Sequence, residues 1–284
     1  MTTSPDAWVD LVMITFRRAE YVRMTLPHLL SSIDDRTRVW LWHNGDDADV
    51  MSVVDQYRDH PRVHRVHHSP DNVRLRPPTN WLWQEAEGEL LGKVDDDCML
   101  EDGWVGRLRA AHAAADLGVL GSWRFQPEDY RPDLAGPKTV ELPGGVTLLR
   151  NHWVQGSGYL VPRQVVEEVG PLREGQTFTR WCLEVARTGR SNGWLLPFVH
   201  EEHLDDPRAP HSSLRTDEDL RRHLPLSAQA HGVTRLSDWT DQMRRSALVV
   251  QQASLDLSAY DGWRARGRRL ARRAQRALTG RSTW

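Results

Sequence analysis

Three consecutive carboxylates, Asp95-Asp96-Asp97, follow an apolar run that ends at Val94. Side chains alternate along an extended segment, so Asp95 and Asp97 share one side and Asp96 points away. Two carboxylates on one side repel each other, and a cation between them relieves that repulsion. Mg2+ and Mn2+ prefer oxygen ligands and bridge carboxylates to a pyrophosphate. A solvated acidic turn accounts for the same three letters, and a short acidic run alone has little weight. A second polar concentration, His200-Glu201-Glu202-His203-Leu204-Asp205-Asp206-Pro207, follows a later apolar run. A neutral imidazole beside carboxylates suits Mn2+. The His200-x-x-His203 spacing does not read as zinc, because no cysteine or further histidine pair accompanies it.

Both clusters need a scaffold that brings strand ends together. Residues 9–14 are an apolar run of buried-strand type, and residues 20–33 place apolar side chains at helical spacing. Strands are predicted over 38–42 and 62–67, and helices over 49–59 and 79–87. Residues 89–94 form a strand that runs into the aspartates. This β-α-β order predicts an α/β fold with a mostly parallel sheet flanked by helices. Ligands in such sheets sit beyond the carboxyl ends of the strands, so the loops after Ile14, Trp42 and Val94 should meet. Residues 127–145, rich in Pro, Gly and Asp, read as an irregular insertion. Short strands at 146–150 and 159–161 flank Gln155-Gly156-Ser157-Gly158, a helix covers 177–187, and a strand covers 194–199. Beyond Pro210 the pattern turns helical, over 217–223, 236–252 and 263–278.

From Asp10 to Trp104 the chain resembles a glycosyltransferase of family 2 with the GT-A fold. The resemblance rests on Val12-Met13-Ile14-Thr15-Phe16-Arg17-Arg18 with Tyr21 and Leu26, and on Trp42-His43-Asn44-Gly45-Asp46. Asn72 and Asn80, then Gly92-Lys93-Val94-Asp95-Asp96-Asp97 with Gly103-Trp104, continue it in order. The aspartates look like the family's D-x-D motif. The resemblance implies a Rossmann-type sheet, a nucleotide-sugar donor and a divalent cation, Mn2+ or Mg2+. Thr15 and Arg17 would lie near the nucleotide. His43 stands where the family usually keeps a base-contacting aspartate, followed by Asn44 and Asp46. That departure leaves the donor open: a UDP-sugar is favoured, with GDP- and dTDP-sugars as alternatives. Asp97 would be the firmest metal ligand, Asp95 would face ribose or metal, and His203 would be the metal-binding histidine. Asn80, Lys93 and Asp96 complete the expected donor side, although Lys93 would serve equally to cover the sheet end. Gly156 and Ser157 would line the donor sugar and acceptor, where glycine lets backbone come close; an ordinary tight turn reads the same way.

The family's acidic pair at the next helix is missing, since Gln176-Thr177-Phe178-Thr179-Arg180 stands there. Glu174 and Glu202 are the leading candidates for the base that activates a hydroxyl acceptor, a contribution of typically about 10²–10⁴-fold. Glu184 is expected on an ion-paired helix face. The implied reaction is a metal-dependent, inverting single displacement. Two rivals stand beside it. A sugar-phosphate nucleotidyltransferase would need a glycine-rich basic phosphate loop, for which Thr15-Phe16-Arg17-Arg18 is a poor substitute. A non-catalytic nucleotide-sugar-binding protein draws support from the missing acidic pair.

The chain of 284 residues accommodates a catalytic domain over 1–210, with a nucleotide-binding half at 1–104 and an acceptor half at 105–210. A helical extension over 211–284 follows. With two cysteines, Cys98 and Cys182, there is no disulfide framework, which suits a cytoplasmic protein. Residues 261–284 carry eight arginines and one acid, or +7, which leaves −9 on the rest of a chain of net charge −2. That asymmetry argues against a nucleic-acid-binding body. On the helix from Trp263, arginines flank a narrow, mostly Ala and Gly stripe. The pattern suits docking on the acidic body, or weak contact with the inner membrane face as a peripheral protein.

Overall fold

The computed structural model describes residues 2–223 and 225–262, so the arginine-rich helix expected from Trp263 lies outside the described residues. The first half alternates as its periodicity predicts: β1 (Val9–Thr15), α1 (Ala19–Ser32), β2 (Thr37–Asn44), α2 (Ala48–Gln56), β3 (Val63–Ser69), α3 (Arg76–Glu85) and β4 (Leu90–Asp95). Then come β5 (Cys98–Leu100), α4 (Trp104–Ala114), β6 (Leu117–Gly121), α5 (Pro132–Ala135), β7 (Thr139–Leu142) and β8 (Val146–Asn151). β9 (Tyr159–Pro162), α6 (Arg163–Val169), α7 (Phe178–Arg187), β10 (Ser191–Leu196) and β11 (Glu201–His203) follow. The extension holds α8 (Asp217–His223), α9 (Leu226–Ala230) and α10 (Leu236–Gln252).

Nine strands form one sheet in the order β3-β2-β1-β4-β9-β6-β10-β8-β7. β3, β2, β1 and β4 are mutually parallel, and β6 runs parallel to β10. β9 and β8 run against their neighbours, so most strands point one way. The two-residue period of β1 sorts its side chains onto two cores. Val9, Leu11 and Met13 pack with α1, α2 and α4, whereas Val12 and Ile14 pack with α3, α7 and α10. The second core is built largely of indole rings: Trp40, Trp42, Trp83, Trp123, Trp181 and Trp194 are all buried there.

Several boundaries differ from expectation for identifiable reasons. α3 begins at Arg76 rather than Thr79, because Pro77 and Pro78 fit a first turn whose N–H groups have no helical partner. β10 stops at Leu196, since Pro197 has no N–H to add to a ladder. The insertion at 127–145 contributes α5 and the edge strand β7. The polar run after His200, which reads as a loop, starts with a strand: β11 pairs antiparallel with β5, Glu201 opposite Leu100 and His203 opposite Cys98.

Packing continues across residue 210 into the extension. Ala247 and Val250 of α10 belong to the tryptophan-rich core. The Trp239 indole N–H donates to the Asp205 carbonyl at 2.7 Å, and Lys138 Nζ donates to the Val250 carbonyl at 2.8 Å. No helix among the described residues is long and apolar enough to cross a membrane.

Candidate active site

The carboxyl ends of β1, β2 and β4 open into a cleft of about 530 Å³, a size suited to a small-molecule ligand. Its walls come from the loops after β1 and β3, the three aspartates, Arg124 beyond β6, His203 at the end of β11 and Asp205 after it. His223 and the α9 segment from Leu226 to Ala230 close the rim. The extension therefore supplies part of the cleft.

The β1–α1 loop organises the acidic floor. Arg17 and Arg18 both adopt left-handed backbone, at φ 58° and 52°, a conformation that costs roughly 1–2 kcal/mol per residue bearing a Cβ. The turn delivers the Phe16 N–H to Asp96 Oδ2 at 2.8 Å. It also places the Arg18 guanidinium 2.9 Å from Asp97 Oδ2, 2.5 Å from Asp205 Oδ1 and 3.7 Å from Asp96 Oδ1. β4 ends at Asp95, so strand alternation does not turn Asp96 away as expected: the Phe16 N–H holds its carboxylate, and Asp96 lines the cleft beside Asp95 and Asp97. Asp95 Oδ1 instead takes the ammonium of Lys93, whose side chain is buried. Lys93 thus covers the sheet end and holds Asp95, and it does not line the cleft.

The short β5–β11 ladder brings the two polar clusters of the sequence together. It sets His203 across from Cys98, and the Leu204 N–H donates to the Asp97 carbonyl at 2.8 Å. Asp97, Cys98 and His203 each present one donor atom, all within 4.8 Å of one another. The His203 Nε2 lies 3.9 Å from Asp97 Oδ2, and its buried Nδ1 has no hydrogen-bond partner. Burial, with Arg124 nearby, lowers the imidazole to about 4 despite the opposing pull of Asp97. His203 is therefore neutral at pH 7. Burial works against ionisation of Asp97, but His203 and Arg18 outweigh it and hold this carboxyl well below the usual range. An ionised carboxylate beside a neutral imidazole is a donor set that fits Mn2+. Burial pushes Asp96 up to about 8 and Asp205 up to about 7; Arg18 offsets part of each rise, and Asp97 adds to both.

Six residues singled out from sequence line the cleft together: Arg17, Asn44, Asp95, Asp96, Asp97 and His203. Asn44 accepts from the Val73 N–H at 3.3 Å and donates to the Arg74 carbonyl at 3.3 Å, which fixes the loop carrying Asn72 and Arg74. The others are placed behind or beside the wall. Thr15 is buried against His43 Nδ1 at 2.9 Å, and exposed Asp46 pairs with His68 at 3.1 Å. Asn80 spends both ends of its amide on the backbone of Leu172, each at 2.9 Å. Ser157 Oγ accepts from the Asp95 N–H at 3.0 Å, and Gly156 lies against Phe178. The neighbouring Gly158, at φ 60°, has no room for a side chain: a Cβ would come within 2.1 Å of Glu201 Oε2 and of Ser122 Oγ.

Neither expected base lines the cleft. Glu174 is exposed on the loop before α7. Glu202 accepts from the His211 N–H at 2.7 Å and meets His211 Nδ1 at 2.9 Å. Glu184 is ion-paired with Arg173, as its helix position suggests. The cleft also contains residues that sequence reasoning passed over or left unranked: Arg18, Arg74, Arg124, Asp205 and the α8–α9 rim. Arg124 had one available signal, a lone charge just beyond an apolar strand.

Residues 10–157 match the family described as Glycosyl transferase family 2. No curated protein matches the chain significantly. Among solved structures, the mannosyltransferase PcManGT from Pyrobaculum calidifontis, in complex with GDP-Man and Mn2+, is similar with a TM-score of 0.57 at 15% identity, over 96% of this chain and 81% of that one. GalNAc-T7 with UDP, GalNAc and Mn2+ gives a TM-score of 0.53 at 11% identity, over 86% of this chain and 57% of that one. At these identities the likeness is one of fold.

Proposed function

Because the chain belongs to glycosyl transferase family 2, we propose that it moves a sugar from a nucleoside-diphosphate sugar to a hydroxyl acceptor, with Mn2+ or Mg2+ held at Asp97 and His203. The observation that carries this reading is the meeting of ionised Asp97 and neutral His203 in the wall of the cleft at the end of β4. The bound cation would offset charge on the departing diphosphate. The chain's own residues do the rest. Asn44 and the loop it fixes hold the nucleoside, with Arg17 and Arg74 supplying cationic donors to phosphate oxygens. Asp95, held by Lys93 and Ser157, faces the ribose side. The sugar extends from Asp97 towards the wall beyond β6, where an acceptor attacks the anomeric carbon in line and inverts it.

The proton of the acceptor goes to a carboxylate. Asp205 lines the cleft, Glu202 stands on β11 beside His203, and Glu174 is the most remote, and we rank them in that order. UDP, GDP and dTDP are all candidate donors, with UDP first. Two free, buried cysteines suit a reducing cytoplasm as the compartment.

The test is to incubate the protein with UDP-, GDP- and dTDP-sugars and Mn2+, and to measure nucleotide binding and donor turnover beside Asp97→Ala. Metal-dependent turnover that is lost in Asp97→Ala supports the reading. Binding of donor with no turnover in the presence of varied acceptors would favour a non-catalytic nucleotide-sugar-binding protein.

A further inference from the structure

Arg124 enters the cleft from a backbone that is fixed on both sides. The Trp123 N–H donates to the Val199 carbonyl at 2.6 Å, and the Glu201 N–H donates to the Trp123 carbonyl at 3.0 Å. Trp123 is buried and stacks on Phe198 at 4.3 Å. The Arg124 side chain is half-buried and lines the cleft together with Asp95, Asp97 and His203. Among the described residues its guanidinium makes no hydrogen bond and no ion pair, and its Nε is shut away from solvent without a partner. Nearby carboxylates are committed elsewhere: Asp95 to Lys93, Glu201 to Ser122, and Asp97 and Asp205 to Arg18. Arg18, Arg109, Arg190 and Arg208, each with a side chain 16% exposed or less, all pair with a carboxylate of the chain.

Asp95 and Glu201 act on Arg124 only from beyond bonding distance, and a cation drawn partly out of water with donors left unbonded is costly. A ligand that brings an anion removes that cost through charge-assisted hydrogen bonds. The place of Arg124 in the sheet indicates which anion. The nucleoside loops follow β1, β2 and β3, and Asp97 follows β4. Arg124 follows β6, which stands two strands beyond β4 in the order β4-β9-β6. Two strand spacings are about 10 Å, so the Arg124 backbone stands on the far side of the cleft from the nucleoside loops, while its guanidinium reaches back towards Asp95 and His203, where the sugar would leave the diphosphate.

We propose that Arg124 binds an anionic group, a carboxylate or a phosphate, carried by the transferred sugar or by the acceptor, so that the enzyme works on acidic saccharides. The inference rests on the nucleotide-sugar reading above and names the substrate class of that same site.

The test uses the full chain with Mn2+ and calorimetry. UDP, GDP and dTDP are titrated first to find the bound nucleotide. The hexose and hexuronate donors of that nucleotide are then compared. In a second arm, glucose, glucuronate and glucose 6-phosphate are titrated into the nucleotide-bound protein. We expect the wild type to favour the charged member by about tenfold, the ratio that corresponds to about 1.4 kcal/mol. Preference in the donor arm places the anion on the transferred sugar, and preference in the second arm places it on the acceptor. Arg124→Gln should abolish the preference and Arg124→Lys should keep part of it, with nucleoside diphosphate affinity within about twofold of wild type in both. Equal binding of charged and neutral members by the wild type in both arms overturns the proposal. So does an Arg124→Gln protein that loses as much affinity for the nucleoside diphosphate as for the sugar, because Arg124 then serves the diphosphate. Failure to bind any nucleoside diphosphate defeats the underlying reading, and with it the inference, at the first step.

Discussion

Arg18, from the loop after β1, and Arg124, beyond β6, line the same cleft, and only the first is matched by carboxylates of the chain. Around Arg18 the pairing is made within the chain: a strained turn sets one guanidinium against Asp97 and Asp205, with Asp96 3.7 Å away, before any ligand arrives. Around Arg124 the backbone is equally well fixed, yet the charge is left for something else to meet. One cation is spent on holding acidic residues at the proposed metal-binding end, and the other is available on the proposed sugar side. Partner count, rather than the number of positive charges, therefore separates scaffold from recognition in this cleft.

The largest effect is expected at Asp97, which the Arg18 network and the proposed cation site share. Asp97→Ala should lower donor turnover by about 10²–10³-fold, measured as nucleotide release in Mn2+; retained turnover would remove Asp97 from the chemistry. Arg18→Ala should come next. It leaves buried Asp97 and Asp205 without their cation, at a cost of about 3 kcal/mol in denaturant unfolding. Added Mn2+ should restore more stability to this variant than to wild type, up to about 2.7 kcal/mol at a hundredfold excess over Kd. An Arg18→Ala protein as stable as wild type would show that the network does not need its guanidinium.

A smaller effect concerns His203, whose pKa in the fold is lowered by burial to about 4 from the ordinary imidazole value of 6.5. The unfolded chain binds the proton more readily, so this group costs stability as pH falls through about 6.5 and stops adding to the cost near 4. Metal-free His203→Gln should therefore gain on wild type across that window in parallel denaturant titrations. A constant difference would mean that the imidazole is not held neutral. Asn80→Ala sharpens the line between wall and support: loss of both bonds to Leu172 should cost about 1–2 kcal/mol of stability and leave nucleotide affinity unchanged. The least effect is expected for Glu174→Gln, with turnover within about twofold of wild type because Glu174 is exposed away from the cleft; a loss near that of Asp97→Ala would make it the base.

What could be read from the linear chain was whatever repeats over a few residues. The apolar runs and helical spacing up to Val94 announced β1 through β4, and their order announced a sheet whose strand ends would gather Arg17, Asn44 and Asp97. The second half offered weaker signals. A three-residue strand such as β5 has no measurable period, and its partner β11 lies about a hundred residues away, so nothing local could foretell that His203 would face Cys98. Side-chain commitments were equally hidden. Lys93 and Asn80 are the right types to hold a nucleotide, and tertiary contacts gave one to Asp95 and the other to Leu172. The α/β order and the acidic strand end follow from the residues alone, because hydrophobic periodicity and strand polarity are local properties. The tertiary structure alone decided which charges neutralise one another. Ion pairing depends on distances between segments far apart in the chain, and those distances left Arg18 bonded to Asp97 and Asp205 and Arg124 facing the cleft with no ion pair among the described residues.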